Sequence, residues 1–468
     1  MALMFFNTMT RQKEEFKPMD DGIVRMYTCG PTIYDFAHIG NLRTFLFEDI
    51  LNRFLSYKGF KVTQVMNLTD IDDKTIKASN AKGISLKEHT KPFADGFFED
   101  IDTLNVKRAD HYPAATDHIN EMVDIVKHLM ESGHAYRAAD DCIYYRITKF
   151  PDYGKLSHMK LDELRVGASE RTASDEYEKD QVSDFALWKA WDEADGNVFW
   201  ETDLGKGRPG WHIECSAMSM KYLGKTFDIH TGGEDNIFPH HENEIAQSEA
   251  FTGQPFANYW LHSAHLIVEG KKMAKSAGNF FTLRQLLEKG YAPLAIRYLL
   301  ISTHYRMQLN FTLDGLDAAK EAVKRYNDFI DNLADAAAET DGGEAGGIIE
   351  KAKADFSAAL DDDLNMSEAL GVIFNFIRDI NRLKAEEKLS KVEAGKVLET
   401  ITGFDSVLGL RKQEEASLDD EIEALIQARL DARKNKNWAE ADRIRDDLKA
   451  RGIILEDTPT GTKWKREL

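Results

Sequence analysis

The sequence predicts an α/β fold: a doubly wound parallel sheet, interrupted by an insertion, then a helical bundle and a small C-terminal α/β unit. Three observations carry this expectation. Short apolar runs alternate with amphipathic helical stretches over residues 22–130. The same rhythm resumes at Pro209, after residues 134–207 of different texture. From Leu313 onward the apolar spacing is helical only, until a last segment that mixes helix and strand patterns.

Val24, Met26 and Tyr27 mark a buried strand, which Gly30 and Pro31 break. His38 then opens a helix with Leu42, Leu46, Ile50 and Phe54 on one stripe. Lys61–Asn67 reads as the next strand, and Phe93–Leu104 and Ile119–Met130 as helices. In the insertion, Ile143–Ile147 alternates like an antiparallel strand, and Ala173–Asp184 is a charged loop. Beyond it come a helix over Pro209–Met220, a strand at Lys225–His230, a glycine turn at Thr231–Asp235, a helix from Pro239 to Ala250 and a strand over Trp260–Val268. Leu316, Ala319, Val323, Tyr326, Ile330 and Leu333 keep helix spacing, a linker covers Ala336–Gly347, and helices follow at Ile349–Leu360 and Ser367–Leu383. After a polar linker at Arg411–Asp420, two helices (Glu421–Lys434 and Trp438–Arg451), a strand at Ile453–Leu455 and a turn at Pro459–Gly461 lead to a basic tail.

Composition narrows the classes. The chain has 468 residues, 43% of them hydrophobic and 30% charged, enough for several packed domains. No apolar run is long enough for a membrane span, and Met1–Phe6 is too short for a signal segment, so a cytoplasmic location is expected. Three cysteines make no disulfide framework. A net charge of −20 argues against a nonspecific polyanion binder, but leaves room for a local basic face.

Two constellations point to chemistry. Cys29, Cys215, His240 and Glu244 fall at ends of the same expected sheet, and thiolate, imidazole and carboxylate together suit zinc. His240 and Glu244 stand one helical turn apart; His241 with Glu244 is the rival pair, and two core cysteines beside a solvated helix face is the bland alternative. The second constellation suits a phosphate. The helix start at His38–Asn41 offers N–H groups and a positive dipole, with Gly40 permitting close approach. Lys271, Lys272 and Lys275 cluster before Gly278, and Asp235 behind two glycines could accept from a ribose.

Taken together, these stretches resemble a known family. His38-Ile-Gly-Asn41 is similar to the HIGH motif of class I aminoacyl-tRNA synthetases, and Lys272-Met-Ala-Lys-Ser276 to their KMSKS loop. Cys29-Gly-Pro-Thr, Asn67–Lys74, Gly210–Met218, Phe238–Gln247, Leu360–Asn365 and Glu456–Trp464 resemble the cysteinyl-tRNA synthetase family within that class. The resemblance runs from about Val24 to Trp464. Two positions depart from the pattern: Asn41 replaces the second His of HIGH, and Ala274 the first Ser of KMSKS.

The resemblance implies a Rossmann-type catalytic domain, one zinc ion on Cys29, Cys215, His240 and Glu244, and Mg2+ accompanying ATP. It implies His38, Lys272 and Lys275 as the charge-stabilising groups, Gly40, Asn41, Asp235 and Lys275 around ATP, and Thr69 and Trp211 in the cysteine pocket. Its partners would be the cysteine tRNA, ATP and L-cysteine, with no membrane and a monomeric chain. The organisation expected is a catalytic first half at 1–133, a connective insertion at 134–207, the second half with the zinc site at 208–268, the KMSKS loop and stem-contact region at 269–312, the bundle at 313–410 and an anticodon-binding unit at 411–468. In the rival reading the core joins cysteine to an amino sugar; in another it is a non-catalytic binding paralogue. The tail from Glu421 argues against the first, and the intact ligands and lysines against the second.

Overall fold

Ile23–Thr28 ends in a proline-containing turn that feeds a nineteen-residue helix, too long a connection for a hairpin, so the strand pairs in parallel with the one beyond the helix. The computed structural model describes residues 2–159, 184–274, 278–333, 343–411, 425–430, 432–434, 437–450, 453–458 and 461–466. It opens with a hairpin of β1 (Met4–Asn7) and β2 (Gln12–Glu15), which the sequence reading did not contain. β3 (Ile23–Thr28), α1 (Ile39–Tyr57) and β4 (Lys61–Met66) form the first parallel β-α-β unit. α2 (Asp73–Lys82), α3 (Leu86–Thr103) and α4 (Ile119–Glu131) follow, α2 and α3 each started by a capping box, at Asp72/Thr75 and Ser85/Glu88.

The insertion is an antiparallel sheet of β5 (Ala135–Arg137), β6 (Ile143–Tyr145), β7 (Phe185–Ala190), β8 (Trp200–Thr202) and β9 (Gly205–Pro209), in the order β5-β6-β7-β9-β8. The charged loop read at Ala173–Asp184 lies outside the described residues except for Asp184. Then α5 (Trp211–Leu223), β10 (Phe227–Gly233), α6 (Glu242–Thr252) and β11 (Ala257–Ser263) complete a parallel sheet ordered β11-β10-β3-β4. Alternate residues serve its two faces. Val24 and Met26 pack with α1, whereas Tyr27 and Val65 pack with α5 and α6. Asn7 and Thr8 hydrogen-bond Trp260, so the N-terminal hairpin covers the β11 edge.

The strand read over Trp260–Val268 is two strands in two sheets. β11 ends at Ser263; β12 (Leu266–Val268) pairs instead with β13 (Lys271–Lys272) and with β14 (Leu309–Phe311). The break is held by Arg43 of α1, whose guanidinium donates to the carbonyls of Ala264 and His265 at 2.8 and 2.9 Å. α7 (Leu283–Glu288) and α8 (Pro293–Ile301) lie between β13 and β14. The bundle consists of α9 (Leu313–Asp331), α10 (Ala345–Asp361), α11 (Met366–Ala385) and α12 (Lys391–Leu408). α10 starts inside the expected linker, and α12 was not read from the sequence at all.

The motif Leu360–Asn365 is a joint. Asp363, buried and with φ of 63°, accepts from Phe6 N–H, Tyr305 OH and Arg306 Nε at 2.9, 2.6 and 2.7 Å. A second joint is Arg297 of α8. Wholly buried, it donates to the carbonyls of Leu408, Leu104 and Asn105 and to Asp49 Oδ2 at 2.5 Å.

Residues Arg411–Leu468 make a second compact unit. Ile426, Ile444 and Leu448 form its core between a helical segment at 425–430 and α13 (Trp438–Ala450). The expected basic tail is a strand: β15 (Ile453–Thr458) pairs antiparallel with β16 (Gly461–Arg466). The linker read at Arg411–Asp420 lies outside the described residues beyond Arg411. Among the described residues, no helix is long and apolar enough to cross a membrane.

Breaking a buried ion pair on one side strands a charge. Arg297→Ala is therefore expected to cost about 3–5 kcal/mol in a denaturant titration of the full chain. A loss below about 1 kcal/mol, typical of exposed pairs, would show that Arg297 is not a joint.

Candidate functional site

The parallel sheet reverses its winding between β3 and β10: α1 carries the chain from β3 to β4 on one side, α6 from β10 to β11 on the other. A crevice for ligands forms outside the carboxyl ends of the strands at such a point. Cys29 is the first residue past β3, and its N–H donates to Thr231 O of β10 at 3.2 Å. Its thiol therefore sits at the crevice floor. Cys215 comes from the second turn of α5, Glu244 from the start of α6 and His240 from the turn before it.

These four side chains are buried, and their ligand atoms all lie within 4.8 Å of one another. His240 Nε2 lies 3.0 Å from Glu244 Oε1 and 3.5 Å from Cys215 Sγ. Sequence reasoning left His241 as the rival of His240, and the structure brings it close as well. A second group, Cys29, His230, His241 and Glu244, meets the same distance limit. His241 Nε2 is 3.2 Å from Cys29 Sγ but 4.0 Å from Glu244 Oε1.

Charge explains the cluster. Burial alone would raise the Glu244 carboxyl, but His230 and His240 pull it down to about 2. Burial would lower His240, but Glu244 and Cys215 push it up to about 10. A hydrogen bond from the Cys29 thiol brings Cys215 down to about 6 and holds Cys29 well above its ordinary value. The Cys215 thiolate and the Glu244 carboxylate, buried together, need positive charge, and a protonated His240 imidazole supplies part of it. A divalent cation could replace that proton: the donor set offers soft sulfur, borderline nitrogen and one oxygen, which fits zinc.

Outer contacts orient the donors. His212 and His240 meet through their Nδ1 atoms at 2.9 Å, which turns His240 Nε2 toward the thiols. His230 Nε2 reaches Glu244 Oε2 at 2.8 Å. His241 Nδ1 meets His262 Nε2 at 2.8 Å, and His262 Nδ1 meets Thr8 Oγ1 at 2.8 Å. Trp211 stacks on His240 with centroids 4.1 Å apart and remains 45% exposed, so it roofs the cluster. Thr69 is buried; its hydroxyl donates to Glu214 Oε2 at 3.1 Å, and Asn67 Nδ2 donates to Thr69 Oγ1 at 3.1 Å. Burial and the neighbouring Cys215 raise Glu214 well above the carboxylate range.

The α1 start differs from its expected form. The N–H groups of Gly40 and Asn41 donate to His38 Nδ1 at 3.1 and 3.2 Å, Ile39 N–H donates to Phe281 O, and His38 N–H donates to Asn41 Oδ1 at 3.1 Å. The helix start thus offers no unpaired N–H from residues 39–41, because the His38 ring has taken two and Phe281 O the third. What it presents is the His38 ring with Nδ1 as acceptor, which puts the proton on Nε2. Gly40 is required sterically: a Cβ there would lie 2.9 Å from the His38 ring. Asp235 is exposed on the turn after β10. Lys272 is exposed on β13, and Lys275 lies outside the described residues.

Sequence reasoning missed Glu214, His212, His230, His262 and Asn67. Glu214, His212 and Asn67 were inside the quoted motifs; His230 and His262 carried no signal until strand pairing set them beside α6. In the second unit, Trp438 is exposed and Arg429 is buried.

The chain matches the family model "tRNA synthetases class I (C) catalytic domain" over residues 15–321, a DALR domain over 355–413 and "Cysteinyl-tRNA ligase anticodon binding domain" over 415–464. It is 50% identical to a cysteine–tRNA ligase of Protochlamydia amoebophila over 470 residues, covering 100% of this chain and 98% of the relative. It is 49% identical to a cysteine–tRNA ligase of Brachyspira hyodysenteriae, covering 99% of both. Among solved structures it resembles the Mycobacterium tuberculosis methionyl-tRNA synthetase with methionyl-adenylate, with a TM-score of 0.58 at 15% identity over 83% of this chain and 90% of that one. It also resembles the LeuRS–tRNA–LeuAMS complex of Agrobacterium radiobacter, with a TM-score of 0.62 at 11% identity over 86% of each chain. These likenesses establish the same fold.

Removing one soft ligand weakens a zinc site steeply. Cys215→Ser purified in the presence of zinc is expected to lose most of its metal by atomic absorption. Stoichiometric zinc in both Cys29→Ser and Cys215→Ser would exclude the two thiols as ligands.

Proposed function

We propose that this chain, which belongs to the cysteine–tRNA ligase family of class I aminoacyl-tRNA synthetases, activates L-cysteine with ATP and transfers it to the terminal adenosine of the cysteine tRNA. The observation that carries this reading is the buried Cys29–Cys215–His240–Glu244 cluster at the sheet's switch point, on the same connection as the His38-capped start of α1. Zinc held by those four residues supplies, when bound, a soft coordination position that a thiolate fills and a hard, protonated alcohol does not. Packing alone would separate cysteine from serine by only ~1–3 kcal/mol.

The protein's own residues do the rest. Thr69, fixed by Glu214 and Asn67, and Trp211, stacked on His240, shape the pocket for the amino acid. The cysteine carboxylate attacks the α-phosphorus of Mg-ATP, and pyrophosphate leaves. No side chain becomes a covalent nucleophile, so catalysis is positioning and charge stabilisation. His38 donates from Nε2 to the phosphates, Gly40 and Asn41 act by holding that ring, and Lys272 and Lys275 neutralise developing charge. Asp235 accepts from the ribose. The terminal ribose hydroxyl of the tRNA then attacks the activated carbonyl and releases AMP.

The match over 415–464 favours tRNA over an amino sugar as the acceptor. In this reading the unit Arg411–Leu468 reads the anticodon.

Two experiments test this. In ATP–pyrophosphate exchange with each standard amino acid in turn, only cysteine should support exchange, and only in zinc-loaded protein. Exchange with any other amino acid, or none with cysteine, would overturn the assignment. Deleting Arg411–Leu468 should leave cysteine-dependent exchange intact, because the sheet and bundle pack as their own unit. It should raise the KM for tRNA and flatten the salt dependence of charging, since phosphate contacts are lost. Unchanged charging by the folded truncation would exclude this unit from tRNA recognition.

A further inference from the structure

We infer that Asn279 is a positioning residue for the lysine loop: its side-chain amide stands in for a strand residue and holds the exit of β13 against the start of α1. This rests on the functional reading above and names a residue that serves it.

β13 is only Lys271–Lys272, paired with Val268 and Ile267, and its ladder ends there. Beyond it, Asn279 takes hold of the backbone. Its Nδ2 donates to Lys272 O at 3.1 Å, and its Oδ1 accepts from Ala274 N–H at 2.9 Å. Those two backbone groups flank Met273 and are the pair that a single residue of a parallel neighbouring strand would engage. One donor and one acceptor on a planar group match the side-chain amide of Asn.

Fixing the backbone on both sides of Met273 fixes where its side chain goes. Met273 packs against the core that contains α1, and its Cε lies 3.5 Å from where a Cβ on Gly40 would be. Gly40 is the residue whose N–H holds the His38 ring. Asn279 is thus linked through Met273 to the His38 cap. Lys272 rides on the same strand exit, exposed, and among the described residues its ammonium forms no ion pair. The arrangement also accounts for Ala274. Asn279 grips the backbone at 272 and 274, so the loop entry is held without a hydroxyl at position 274.

The test is single-turnover formation of cysteinyl-adenylate by the full-length, zinc-loaded chain. Asn279→Ala should slow this step about 10²-fold, the scale of a misplaced catalytic group. Zinc content, thermal midpoint, KM for cysteine and transfer from preformed cysteinyl-adenylate to tRNA should stay as in the unsubstituted chain. Asn279→Asp keeps the acceptor but loses the donor, and should also be slow. Adenylation at the unsubstituted rate in Asn279→Ala would overturn the inference while leaving the functional reading intact. So would an equal loss in adenylation and transfer, or a loss of zinc, because each would mark a merely structural role. No cysteine-dependent adenylation by the unsubstituted chain would remove the functional reading and this inference together.

Discussion

Glu244 brings a carboxylate into the dry interface between α5, α6 and the parallel sheet, and that charge has to be balanced where it lies. His230 and His240 each take one of its oxygens. That requirement propagates outward. His230 sits midway along β10, level with Tyr27 of β3, and the same register brings Cys29 N–H to Thr231 O. His240 must be steered at Nδ1, which His212 does from α5. Gln247 in turn donates to Ser216 Oγ at 2.7 Å, tying α6 back to α5. A cluster that holds a thiol, a thiolate, a carboxylate and a protonated imidazole keeps an excess of negative charge that a divalent cation can satisfy better than a proton.

Chain topology then divides the labour. The connection from Cys29 to His38 begins at the soft cluster and ends at the cap of α1, so in the proposed function sulfur recognition and phosphate recognition would share one short segment. Gly30 makes this possible: a Cβ there would come 1.8 Å from Asn67 O, so only glycine lets the ends of β3 and β4 approach. Arg43, a few residues into α1, pins the chain beyond β11 and thereby the start of the small sheet that carries Lys271 and Lys272. The two halves of the site are therefore joined by backbone carbonyls and one guanidinium as well as by the sheet.

Much of this was legible in the sequence, and what was not follows a physical pattern. The helix from His38 was readable because Leu42, Leu46, Ile50 and Phe54 form a stripe, and all four are buried. The candidate metal ligands were readable because three elements end at the same edge of a parallel sheet. His230 and His262 were not, since a histidine inside a buried strand has no local signal and acquires a role only through its neighbours in other elements. The strand over Trp260–Val268 was misread because apolar character continues across Ala264–His265, while the break is caused by Arg43, distant in sequence. Asn41 departs from the usual motif. In the structure its side-chain oxygen closes the cap on His38, a job that local sequence spacing defines but that phosphate-centred reading overlooks.

The proposed function turns on one point: Cys29, Cys215, His240 and Glu244 would hold a metal ion to which the thiolate of the cysteine substrate binds. Cobalt(II) in place of zinc reports this directly, because sulfur-to-cobalt charge transfer counts thiolate ligands. Titrating the full-length cobalt-loaded protein should show that band strengthen with L-cysteine and remain unchanged with L-serine. A spectrum unmoved by saturating cysteine, in protein that still forms cysteinyl-adenylate, would contradict the account.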